Sequence, residues 1–178
     1  MIDDSARERV RDEGIVLNKF FKIVMPMICI GVICFIFFMS SDSYSDVKSL
    51  KISQVAYELM PVQVQEALVD RSIDIKKIDF MMRKSSHFIE YVVLSILLLN
   101  AAIIYKIKTK DAIIYVLFLC LLLANLDEFY QGFINGRNSS VKDCLIDLGG
   151  SVSGVLLYLF CRMSQLQTKA RKRKTGNH

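Results

Sequence analysis

Four apolar runs, each close to the roughly 20 residues an α-helix needs to cross a hydrocarbon core, dominate this chain. They cover 20–39, 88–105, 112–133 and 145–161 of its 178 residues. None keeps the polar stripe that a helix of a soluble bundle turns toward water. Inside lipid a backbone must satisfy its own hydrogen bonds, so runs of this length read as helices. The expectation is an all-α membrane protein, a bundle of four transmembrane helices in a single domain over 1–178. The third run carries Asp127 and Glu128 near its end, and it spans only if its helix takes those acids into the outer part of the bilayer. The first run is too long for the apolar core of a signal peptide, and its leader mixes acids with bases. It reads as an uncleaved span.

Lysine and arginine set the orientation. An even number of spans puts the N-terminal segment, the 106–110 turn and the 162–178 tail on one side, and together they hold 14 of the 23 basic residues. The positive-inside rule then makes both termini cytoplasmic in a multi-pass protein of the cell membrane. Behind a span, the basic run from Lys169 to Lys174 fixes topology and meets anionic headgroups; it is not read as a nucleic-acid patch. The five cysteines are odd in number, and most lie in or beside apolar spans, which implies neither a disulfide framework nor paired zinc spacing.

The outer loop, 40–86, is the one long polar stretch. Ile52, Val55, Ala56 and Leu59 follow helical spacing up to Pro61, and Ile75, Ile78 and Met82 repeat the pattern. Two short amphipathic helices are expected there, lying on the membrane surface or capping the bundle.

Polar groups gather where the loops meet the spans. Residues three and four apart share a helix face, so Lys84, His87 and Tyr91 form one stripe at the mouth of the second span, with Glu90 beside it. In the third span Gln131 lies one turn from Asp127 and Glu128. In the fourth, Asp143, Asp147, Gly150 and Gly154 share a face, two carboxylates above two glycines that let a neighbouring helix come close. Val155 is expected off that face and tolerant of leucine. Arg137 is the obvious counter-charge, and Ser140 sits beside it in the same turn. Ionisable groups at membrane depth cost roughly 2.5–3.5 kcal/mol each on insertion scales, so their convergence marks a site hypothesis. His87, Asp127, Glu128 and Asp143 are the candidates for catalysis; Lys84, Glu90, Tyr91, Gln131, Arg137, Ser140 and Asp147 are the candidates for substrate binding. Spacing leaves three uses open: holding a divalent cation, acid/base chemistry, or a structural ion-pair network.

The order Lys84-x-x-His87-x-x-x-Tyr91, Asp127-Glu128-x-x-Gln131-x-Phe133, then Arg137-x-x-Ser140-x-x-Asp143-x-x-x-Asp147-x-x-Gly150-x-x-x-Gly154 resembles the VanZ-like family of small bacterial membrane proteins. The Phe38 to Ser41 run closing the first span is similar to that family too. Asp147 stands where the family usually has asparagine. The resemblance implies a cell-envelope role with a lipid-linked or cell-wall ligand. The family takes its name from an accessory protein linked to resistance against the glycopeptide teicoplanin. Its expected task is to bind or modify an envelope component; the rivals are an enzyme acting on a lipid-linked or phosphate-bearing substrate, and a non-catalytic membrane accessory or assembly protein.

Overall fold

A computed structural model describes residues 4–41, 45–134 and 139–175. It contains six helices: α1 (Asp4–Ser40), α2 (Ser45–Glu58), α3 (Val62–Asp70), α4 (Ile75–Ile104), α5 (Thr109–Gln131) and α6 (Val141–Thr175). Four segments are long and apolar enough to cross a membrane: Lys19–Ser40, Ile75–Ile104, Thr109–Gln131 and Val141–Gln165. The protein is a multi-pass membrane protein, all-α among its described residues.

The four long helices run alternately up and down. At one end Ser40 of α1 meets Asp127 of α5, and Lys84 of α4 meets Asp143 of α6. At the other end the Tyr105 hydroxyl donates to the Lys22 carbonyl at 2.7 Å, and Arg162 Nη1 donates to Thr109 Oγ1 at 3.3 Å. Pro26 lies inside α1, which a transmembrane helix tolerates when neighbours re-satisfy the freed carbonyl.

Small side chains draw the helices together. Ala112, Val116, Cys120 and Ala124 recur every fourth residue on α5, and all are buried. Such a stripe brings backbones close enough for dispersion to hold helices in lipid, where the hydrophobic effect gives little drive. The contact between α4 and α6 is the most extensive in the bundle. A side chain added at Gly150 would run into the Phe88 carbonyl, and one at Gly154 into Ser95 and the Val92 carbonyl.

Val155 does lie off the glycine face, yet it is not free to take a larger side chain. It is buried in the core, because α6 packs on two sides, Gly150 and Gly154 against α4 and Cys144, Ser151 and Val155 toward α5. The thiol of Cys144 lies 3.8 Å from the Ala124 carbonyl on that second side. Leu156, well exposed, is the residue that lies off both faces. All five cysteines are free thiols.

Two short helices, α2 and α3, lie between the first two spans as expected, but the second is not the one marked by Ile75, Ile78 and Met82. The pattern at Ile75, Ile78 and Met82 belongs to the first turns of α4, continuous with the second span, because nothing between Met82 and Phe88 breaks a helix. The Asp74 side chain caps its start, accepting from the Lys77 N–H at 2.9 Å. The second short helix is α3, which buries none of its residues. By contrast α2 is anchored to α4. The hydroxyls of Ser49 and Ser53 both donate to Asp79, Ser53 at 3.1 Å, and Arg83 Nε lies 3.3 Å from the other Asp79 oxygen.

Candidate functional site

The ends of α1, α4, α5 and α6 bring the polar clusters together at one end of the bundle. The charged side chains gather there because each helix is apolar through the bilayer and turns polar at this level: α1 and α5 in their last turns, α6 in its first two, and α4 just ahead of its apolar run.

Asp127 is the hub of the α5 end. It is fully buried, and one carboxylate oxygen accepts from Ser40 Oγ at 2.8 Å and from Gln131 Nε2 at 2.7 Å. Gln131 Nε2 also reaches Ser40 Oγ at 3.2 Å, closing a three-residue unit across α1 and α5. Glu128, one residue on, accepts the Ser140 backbone N–H at 2.7 Å. That N–H stands at the start of α6, where the helix dipole favours an anion. Ser140 is thereby engaged in starting α6, its Oγ also accepting the Lys142 N–H at 3.3 Å.

On α4, Lys84 forms an ion pair with Asp143 and places its ammonium 5.3 Å from the Phe80 ring centroid. His87 Nδ1 lies 3.9 Å from Glu90 Oε2. Arg137 falls outside the described residues.

Asp147 stands at the junction of α4, α5 and α6, between the glycine stripe and the Cys144–Ser151–Val155 stripe. It is fully buried, and neither carboxylate oxygen has a hydrogen-bond partner among the described residues. The Tyr91 hydroxyl, also fully buried, likewise has none. The two lie within electrostatic range of one another. Glu90, Asp127, Glu128 and Asp143 all lie within electrostatic range of Asp147 as well. Buried polar atoms in native structures are nearly always paired, so this acceptor needs an explanation of its own.

The five acids share one electrostatic field without sharing a coordination sphere. Among the described residues no three His, Cys, Asp or Glu side chains are arranged to hold a metal ion.

A family model described as VanZ/LLP1 matches residues 25–162. The chain belongs to the VanZ/LLP1 family. That match takes in the second and third spans whole, most of the first and fourth, and every polar residue just described. No curated protein and no solved structure matches the chain.

Within this VanZ-family protein, one member of the polar cluster was not singled out by its spacing. Ser40 is buried at the centre of the Asp127 unit, and the only sequence signal for it is the Phe38 to Ser41 run at the end of the first span. A serine that closes an apolar run is ordinary, and its partner lies 87 residues away.

Proposed function

We propose that this VanZ-family protein binds a cell-envelope component at the outer face of the cell membrane, through the polar end of its bundle. Both termini are then cytoplasmic, as the distribution of lysine and arginine favours. The observation that carries the reading is Asp147, a buried acceptor with no partner for either oxygen among the described residues. Leaving such a group unsatisfied costs roughly 1–3 kcal/mol, which a fold tolerates where function needs it. A ligand offering hydroxyl or ammonium donors complements an acceptor-rich cluster of this kind, and lipid-linked and cell-wall precursors carry both. Lys84 and His87 would orient the ligand at the mouth, with Asp127 and Glu128 deeper. A link to glycopeptide susceptibility is part of the proposal, and its support is the family resemblance alone.

The test pairs phenotype with stability. In a host lacking its own copy, Asp147→Ala is expected to abolish any change in teicoplanin susceptibility conferred by the protein. Its melting temperature in detergent should hold or rise, since a group costing roughly 1–3 kcal/mol is removed. Asp147→Asn keeps an acceptor oxygen and should retain the phenotype. His87→Gln should lose it with little change in melting temperature. If phenotype falls only in variants whose stability also falls, the cluster is scaffolding and the reading is wrong.

The hydrogen-bonded Ser40–Asp127–Gln131 unit favours a second reading, a structural network in a non-catalytic accessory protein. Under it, Asp147→Ala would be silent in the susceptibility assay.

Orientation is checked separately. Single cysteines at Lys108 and Asn138, in a background without native cysteines, should react with a membrane-impermeant maleimide only at Asn138 in intact cells. Labelling of both, or of Lys108 alone, would overturn the assignment of the outer face.

A further inference from the structure

A groove of about 430 Å³ opens between α3 and α4. Its walls are almost wholly apolar. Met60, Leu68 and Ile73 line it from α3 and its flanking turns, and Met82, Ser85 and Ile89 from α4. The hydroxyl of neighbouring Ser86 donates to the Met82 carbonyl, so it adds little polarity. The volume falls within the range of about 300–1,000 Å³ typical of small-molecule sites.

The groove exists because α3 stands off the bundle. That helix is short and carries Val62, Val64, Leu68 and Val69, yet it buries no residue against the rest of the chain. Leu68 turns to the groove only half-buried, and apolar surface left uncovered there is costly in water.

Continuity along α4 indicates what covers that surface. Met82, Ile89 and Val93 follow one another on a single helix face, and Ile89 and Val93 are exposed within the candidate membrane span. Hydrocarbon chains cover that face inside the bilayer. The same face runs on, without a break in the helix, to form the floor of the groove. Methionine suits such a seat, being unbranched and able to follow a ligand with many conformers.

We propose that the α3–α4 groove seats one acyl chain of a bilayer lipid, lifted from the leaflet at the polar end of the bundle and held beneath α3. The seat lies on the face of α4 opposite Lys84 and Tyr91, so it is separate from the Asp147 cluster and does not rest on it.

The probe is a phosphatidylglycerol carrying a diazirine at the end of one acyl chain, in vesicles of phosphatidylethanolamine and phosphatidylglycerol that contain the full-length protein. After illumination, peptide mass spectrometry should find label at Met60, Leu68 and Met82 well above that at Ile52, an exposed apolar residue of α2 outside the groove. Ser85→Trp, which fills the groove, should bring groove labelling down to the Ile52 level while labelling of the lipid-facing Phe118 stays unchanged. Leu68→Lys is the second variant, with the same expected loss, should the tryptophan disturb folding. Groove labelling no higher than at Ile52, or undiminished in a folded variant, overturns the proposal.

Discussion

Leucine in place of Gly150 or Gly154 is expected to cost at least about 3 kcal/mol, at or beyond the upper end of ordinary overpacking. The obstacle at Gly150 is the Phe88 main chain, and at Gly154 it is the Val92 carbonyl together with Ser95. Main-chain atoms of a packed helix cannot rotate aside as a side-chain tip can. Relief requires α4 and α6 to separate, and with them the most extensive contact of the bundle. Leu156→Ala is the control, because Leu156 is largely exposed and faces neither neighbour. Thermal unfolding in detergent, with yield of folded protein from membranes, reads the difference. Equal stability of the glycine variants and the control would show that the two helices do not meet as described.

Asp127→Ala should be the most damaging change to the polar cluster itself, by about 3–5 kcal/mol. Two hydrogen bonds to a buried carboxylate are lost, each worth roughly 1.5–3 kcal/mol, and Ser40 and Gln131 lose their shared acceptor. Ser40→Ala alone removes one donor and should cost less. Because the two residues belong to one unit, the double variant should fall short of the sum by roughly 0.5–3 kcal/mol. Chemical unfolding of the wild type, both single variants and the double variant measures that coupling. Strict additivity would mean the hydroxyl and the carboxylate do not act on one another. The contrast with Asp147 is informative: two buried carboxylates on adjacent helices are expected to respond to alanine with opposite signs.

The four spans were legible because bilayer thickness imposes a length that apolar runs either meet or miss. The helical face uniting Asp143, Asp147, Gly150 and Gly154 was legible for a similar reason, since helical periodicity is fixed by geometry. What periodicity could not supply was the number of neighbours. Val155 looked free because one face had been filled, whereas α6 presents two faces to two helices. The start of α4 was hidden by Lys84, Ser85 and Ser86, which interrupt hydropathy without interrupting the helix. In α3 the order Val62, Gln63, Val64, Gln65 alternates with period two, which obscures a nine-residue helix. Ser40 was invisible for another reason. Its place in the cluster depends on a contact with Asp127, and a single sequence carries no mark of which distant residues will meet.

The Ser40–Asp127 hydrogen bond also bears on how the protein is made. Synthesis runs from the N-terminus, so the hydroxyl at the end of α1 is in place while its acceptor is still 87 residues away along the chain. Waiting costs little: a hydroxyl at the end of a helix can bond back to its own chain, as Ser41 does to the Phe37 and Phe38 carbonyls. A carboxylate in the same position would have no such recourse, for a backbone carbonyl offers it no donor. The order of the chain therefore gives the patient role to the group that can bear it. When the acid enters the bilayer, its donor is already there.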